Sequence, residues 1–530
     1  MSSTEPTATP TRSGTSAVLA MTMICMLVVG FNTTAVATIL PNIKAELDLT
    51  PAELQWVMAI YTVASATFIL ILSRLGDIAG KMGVFLFGIV IFALGSASVL
   101  VSENALLLLV GRCAQGIGGA ALFGTSLTVL TAATPEERRG AVIGFWGAVA
   151  GLSLSVGPIV GGAFATYLSW RAIFAADLVL LAAAFVIALH AQRRRYVPDT
   201  RMPGAKLDKA GAIALVLLLG PLSFALSSGE NQGWTSMQTL LPLVVSAFAA
   251  VMLILTARRS DDPLVELRYF RHRRYVMAGA GMFIAGFVLL CFFVFFGVFV
   301  QSPDAFGYSA MRAGLAAAPL SAAIFIASFL APRLLAPYSF HWPIVLAMVA
   351  MALGSFLLSM TSSTASYSEI WWKLVIIGAG LGMCFSLLPR LGMRLLPDEH
   401  AGQGSGVISA FLYFGATLGT VVGGVAEAVT TRSGLSEVIA ALPQGSTQRA
   451  DLAHALTHGS PSTVQHLISG LDAGSGTTLA SALRDLQTSA FDSAMLVAAV
   501  GAAIGLLLAL WLLRGPVPPL RDAMRFTQKG

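Results

Sequence analysis

Three charged residues stand in stretches where charge is costly. Arg112 lies in LLLLVGRCAQGIGGA, about seven residues into an apolar run. An arginine at that depth faces a water-filled cavity or pairs with an acid or with backbone carbonyls, because lipid offers its five donors nothing. Gln115 is near it, and Gly116, Gly118 and Gly119 let a neighbouring helix come close. Asp177 and Glu427 are carboxylates in or at the ends of other apolar runs. A carboxyl held at membrane depth is a candidate proton exchanger. Two plainer readings stand beside this one. Asp177 also fits a helix-stabilising first-turn acid paired with Arg171, and Glu427 fits an exposed helix end. A fourth group is short and polar. SRLGDIAGKMG, Ser73–Gly83, places Asp77 and Lys81 four apart beside Gly80, a spacing suited to an ion pair at a membrane edge.

The elements that hold these residues are membrane helices. Of 530 residues, 56% are hydrophobic and 11% charged, where soluble chains carry roughly 25% charged residues. Fourteen apolar spans follow, near 17–40, 54–73, 84–101, 105–131, 141–167, 172–191, 210–226, 237–257, 275–300, 311–330, 343–360, 370–388, 404–429 and 494–513. Each is long enough for ~30 Å of hydrocarbon. Pro41 is expected to end the first span. Residues 73–83 are expected to form the loop after the second, and 430–489 an outer loop. The four cysteines all fall inside spans and read as reduced packing residues. With Met1 placed in the cytoplasm, Lys and Arg number 24 in inner segments and 7 in outer ones, Arg112 apart. That bias predicts a multi-pass protein with both termini cytoplasmic. In the outer loop, His454 and His458 share a helical face, but solvated histidines are the default and no metal site is expected.

The chain repeats itself. A shift of 262 residues lays PEERRG at Pro135–Gly140 on PDEHAG at Pro397–Gly402, and GPIVGG at Gly157–Gly162 on GTVVGG at Gly419–Gly424. The predicted organisation is an all-α integral membrane protein with 14 transmembrane helices. It comprises a tail (1–16), a six-helix bundle (17–191), basic segments with two inserted helices (192–274), a second six-helix bundle (275–513) and a tail (514–530). Parallel repeats of this kind place a substrate site at their interface near the bilayer midplane. Gly151, Gly157, Pro158, Gly161 and Gly162 form a glycine-faced, proline-broken stretch of the fifth span. Small residues at such spacing permit backbone-to-backbone packing.

These residues carry a family resemblance over nearly the whole chain. LGD-x-x-G-K at Leu75–Lys81, GR-x-x-QG-x-GGA at Gly111–Ala120 and GP-x-x-GG at Gly157–Gly162 resemble signatures of the major facilitator superfamily. Within it they resemble the fourteen-helix drug:proton antiporter group, the multidrug efflux type. The resemblance implies an inner gate at Asp77, Gly80 and Lys81, proton transfer at Arg112, and export favoured by the Gly157–Gly162 stretch. It implies small-molecule substrate and protons as partners, the proton gradient as drive with no cofactor, and a bacterial inner membrane. It implies no nucleic acid. The oligomeric state stays open, a monomer included. The first span departs from the group's pattern. FNTTAVATILP has Asn32 where that group carries an aspartate, and an amide cannot titrate. Asn32, Phe31, Tyr61, Gln115, Trp146, Phe292 and Phe296 are the expected lining of the substrate cavity.

Other classes fit less well. The spans hold no HExxH, no paired aspartates and no nucleophile–base spacing, so an embedded enzyme is disfavoured. No GxxxxGK[ST] phosphate loop is present, which disfavours ATP drive. A dedicated exporter of one metabolite or lipid and a non-transporting sensor on the same fold remain as alternatives.

Overall fold

The computed structural model describes residues 12–198, 201, 206–260, 262–335, 339–394, 401–441 and 473–515. Among them are fourteen α-helices: α1 Arg12–Leu47, α2 Pro51–Ala79, α3 Lys81–Leu100, α4 Ala105–Ala132, α5 Glu136–Tyr167, α6 Ala172–Arg193, α7 Lys209–Gln232, α8 Met237–Arg259, α9 Arg273–Gln301, α10 Ala310–Leu334, α11 His341–Leu358, α12 Tyr367–Met393, α13 Ala401–Ala441 and α14 Ala473–Leu512. Thirteen contain stretches long and apolar enough to cross a membrane, and α5 contributes the shorter Val156–Tyr167. Large apolar side chains such as Leu94, Val179, Val244 and Phe248 stay more than half exposed on the outside of the bundle. A lipid-facing surface requires this, since lipid accepts apolar groups as readily as a core does.

Helix packing recurs along the chain. α3 lies between α4 and α6, as α11 lies between α12 and α14, and α1 packs on α5 and α6 as α9 packs on α13 and α14. The six-helix groups meet along α5 with α10 and along α2 with α13. The inserted α7 and α8 pack on each other, and α7 rests on α2.

Several helix ends differ from expectation. Pro41 does not end α1, which runs to Leu47. Proline removes one backbone donor, and membrane helices tolerate this where neighbours satisfy the freed backbone groups. One residue from the Ala37 carbonyl that Pro41 leaves without its helical donor, Gln301 of α9 donates to the Thr38 carbonyl at 3.0 Å. Ser73–Ala79 is not loop but the last turns of α2. The chain reverses at Gly80, whose φ of +103° is open to glycine and strained for other residues. The expected outer loop is shorter than 430–489, since α13 continues to Ala441 and α14 begins at Ala473. His454 and His458 lie outside the described residues.

Candidate functional site

Arg112 and Asp177 are joined by one buried hydrogen-bonded relay. Arg112 on α4 donates from Nη1 to Gln115 Oε1 at 2.9 Å. Gln115 Nε2 donates to Ser96 Oγ of α3 at 2.8 Å. Ser96 donates onward to Asp177 Oδ2 of α6 at 3.2 Å. Asn32 Nδ2 of α1 closes the relay, lying 2.9 Å from each Asp177 oxygen and 3.1 Å from the Val28 carbonyl. Arg112, Gln115, Ser96 and Asn32 have no exposed surface, and Asp177 has 1%.

Glycines bring these helices within reach. A Cβ on Gly95 would sit 2.7 Å from both the Gly111 carbonyl and the Gln115 amide nitrogen. A Cβ on Gly116 would meet the Tyr61 carbonyl at 2.5 Å. Backbone contact this close sets Gln115 against Ser96 and Arg112 against Tyr61.

Arg112 also donates from Nε to the Val57 carbonyl at 3.1 Å, and its guanidinium lies 4.4 Å from the centre of the Tyr61 ring. Two polar atoms of the relay have no partner, Arg112 Nη2 and Asn32 Oδ1. The arginine thus offsets, through two neutral side chains, the only carboxylate its relay contains. Arg112→Ala would leave Asp177 as an uncompensated buried charge. It should destabilise the fold by about 3–5 kcal/mol, read as a lower melting temperature in detergent. Arg112→Lys should lose less, because it keeps the charge and gives up the planar fork.

A cavity of about 110 Å³ lies between the six-helix groups. It is walled by α1 (Val29, Gly30, Thr33), α4 (Phe123), α5 (Trp146, Ser153), α9, α12 (Phe385) and α13 (Tyr413), with no charged residue among its lining. Trp146 donates from Nε1 to Ser126 Oγ at 3.1 Å and meets the Phe123 ring edge-on at 5.4 Å. The cavity and the relay share α1. Thr33, in the cavity wall, donates to the Val29 carbonyl at 2.8 Å and lies 3.4 Å from the Tyr61 hydroxyl, which donates to the same carbonyl at 3.2 Å. Tyr61 thus touches the cavity wall at Thr33 through its hydroxyl and the relay at Arg112 through its ring.

Of the expected cavity residues, Trp146 lines this space. Phe31, Asn32, Tyr61, Gln115, Phe292 and Phe296 do not. Tyr61, Asn32 and Gln115 are turned into the relay. Phe292 and Phe296 stack on each other at 4.8 Å and Phe296 packs towards Phe491 of α14, so their rings fill the core of the second half. Glu427 stands half-buried on α13, apart from the relay, while Asp177 is its centre. Ser96 carries no signature in the sequence. Its sign is only that it is a polar residue beside glycine in an apolar span.

The loop signature forms a cluster at the end of the bundle where α2 meets α3. Lys81 Nζ lies 3.5 Å from Asp77 Oδ1. Arg74 pairs with Asp262, beyond α8, at 2.5 Å. A Cβ on Gly80 would lie 3.2 Å from Arg201 Nε. At the opposite end, Gly157 and Gly161 pack on α1, and Gly162 packs on α10. A Cβ on Gly162 would overlap the Ala310 carbonyl, and one on Gly314 would overlap the carbonyl of Pro158. Gly151 is on α5, but its surroundings lie outside the described side chains. The α5–α10 seam is thus closed backbone to backbone, and the cavity lies in the half of the bundle away from it.

This arrangement has relatives. The Major Facilitator Superfamily model matches residues 22–420. The chain belongs to that superfamily. It is 31% identical over 385 residues to Multidrug resistance protein Stp of Mycobacterium tuberculosis (strain ATCC 25618 / H37Rv), covering 72% of this chain and 70% of that protein. It is 30% identical over 425 residues to Multidrug resistance protein 3 of Bacillus subtilis, covering 79% and 81%. A Methylenomycin A resistance protein of Streptomyces coelicolor is 28% identical over 394 residues, covering 72% and 80%. Among solved structures, a bacterial homolog to the human lysosomal transporter Spinster superposes with a TM-score of 0.62 at 14% identity. That match covers 95% of this chain and 98% of the other. The superfamily member described here is a multi-pass membrane carrier, not an enzyme.

Proposed function

We propose that this transporter exports small lipophilic compounds in exchange for protons, from the cytoplasm of a bacterium across its inner membrane. Its relatives named for resistance to drugs and to methylenomycin A support export of such compounds. The observation that carries the proton half is the Asp177–Asn32 contact. An amide is suited to hold a carboxyl in both protonation states. Its Nδ2 donates to the carboxylate, and its Oδ1, now without a partner, is available to accept from the protonated acid. The acid that the group carries on its first helix is here supplied from α6, 2.9 Å away.

The cycle uses no cofactor. Asp177 takes a proton and its pull on Asn32 weakens, which frees α1 to shift against α6. Val29, Gly30 and Thr33 ride on α1, so the same shift reshapes the cavity wall. Positive-inside bias supports cytoplasmic termini, which puts the cavity on the cytoplasmic side and the α5–α10 seam on the outside. Asp77 and Lys81 would then close the cytoplasmic side in the opposite state.

The test is transport of lipophilic dyes by the protein in proteoliposomes under an imposed pH gradient. Dye movement against its gradient together with collapse of the pH difference supports the reading. A silent dye panel with an intact pH gradient rejects dye efflux and leaves a dedicated exporter of one metabolite. Trp146→Ala enlarges the cavity and should shift preference between dyes of different size by roughly 10-fold. Dye competition measures the shift.

A further inference from the structure

Three aromatic rings from both six-helix groups meet in the cavity wall. Phe123 of α4 lies edge-on to Trp146 of α5 at 5.4 Å and to Tyr413 of α13 at 5.8 Å. Aromatic faces stack on flat rings. Met26, Met282 and Met393 stand in the same wall, and their unbranched side chains adapt to ligands of different outline. Along α13 the lining residues Gly406, Ser409, Tyr413 and Ala416 fall three or four apart, so one face of that helix is turned to the cavity.

Among the described residues, no acid lines this space. α4 and α9 contain no Asp or Glu at all. α1 has one, Glu46, beside its last residue and paired with Arg171. α5 has Glu136 and Glu137 in its first turn only. α12 has Glu369 in its first turn, where it accepts from the Ser366 amide. On α13, the nearer acid is Glu427, eleven residues beyond Ala416, which is about 16 Å of helix. Asp177 is sealed in the relay at 1% exposure. The charges that follow the lining are basic: Arg390 comes after Pro389 on α12, and Arg394 after Met393.

We propose that the cavity selects uncharged aromatic compounds and rejects permanent cations. A cation entering this wall loses its hydration and finds no carboxylate to replace it. Ring faces attract a cation, but that attraction is smaller than the hydration lost. Arg390 and Arg394 at the end of the wall repel it further. A neutral ring system keeps the stacking and the apolar contact without that cost. The proposal rests on the reading that this cavity holds the exported compound, and it names the charge class of that compound.

The test is equilibrium binding to the full-length protein in lipid nanodiscs, with empty nanodiscs subtracted. N-methylacridone and the N-methylacridinium cation are the probes, since both are flat three-ring compounds of similar size and differ in charge. The neutral probe should bind about 100-fold more tightly. Equal affinities, or tighter binding of the cation, overturn the proposal. Phe123→Ala should weaken the neutral probe by about 10-fold; an unchanged affinity overturns its placement against these rings. Ser409→Asp puts a carboxylate into the lining and should raise the cation's affinity by about 10-fold. The comparison of the two probes on the unaltered protein stands even where a variant fails to fold. Binding is read without a pH gradient, so loss of proton-driven export would leave these outcomes as they are. Conversely, export of the acridinium cation against its gradient would uphold the export reading and overturn this one.

Discussion

Gly162→Ala should stop transport with the protein still folded. The added methyl would overlap the Ala310 carbonyl and stand 2.9 Å from the Met311 Cα. Both are backbone atoms, so no side-chain rotation relieves the contact, and α5 and α10 must part. Overpacking of this kind costs about 1–3 kcal/mol, which lowers the closed-seam population by roughly 5- to 150-fold. Thr166 lies in this seam, accepting from the Met311 backbone amide at 3.2 Å. Thr166→Cys, in a background with Cys113 changed to serine, should label with a thiol reagent faster once Gly162→Ala is added. Gly314→Ala should act alike, since its methyl would overlap Pro158 across the same seam. Gly83→Ala is the control, because nothing lies within 4 Å of its added Cβ. Normal transport with unchanged labelling in Gly162→Ala would show that the seam is no gate.

Asp177→Asn should abolish proton-driven transport while sparing the fold. The substitution keeps shape and hydrogen-bonding capacity beside Asn32 and Ser96 but removes the titrating group. Loss of a positioned proton-transfer group typically costs on the order of 100-fold in rate or more. Dye accumulation under a pH gradient should fall accordingly, and exchange without a gradient should survive. The companion variant is more discriminating. Asn32→Asp combined with Asp177→Asn moves the carboxyl across a 2.9 Å contact onto α1, where the resembling group carries its acid. Partial recovery of gradient-driven transport in the double variant is the expected result. Full activity in Asp177→Asn alone would place the coupling proton elsewhere.

The proton site, the cavity and α5 all touch one element, α1. α1 presents Asn32 to α6, Thr33 to the cavity, and its Ala35 backbone to Gly161 of α5. A change at the proton site, in the cavity or at the seam therefore reaches the other two through one helix. The physical basis is that packed interfaces switch between discrete arrangements and deform little in between.

Composition and charge bias alone determined much about this protein. Scarce charge with long apolar runs requires membrane-spanning helices, because only a helix or a closed barrel satisfies its own backbone in lipid. The constant 262-residue offset carried the repeat, and Arg112 and Asp177 stood out because charge at membrane depth demands a reason. Only the tertiary structure decided which of these residues meet. Asn32 and Asp177 are 145 positions apart, and no spacing rule links two such distant helices. Only packing showed Ser96 as the bridge and Phe292 and Phe296 as core. The reason is general to membranes. Lipid and protein core are both apolar, so hydropathy marks that a residue is inside the bilayer and leaves its facing to the close approach of neighbouring helices.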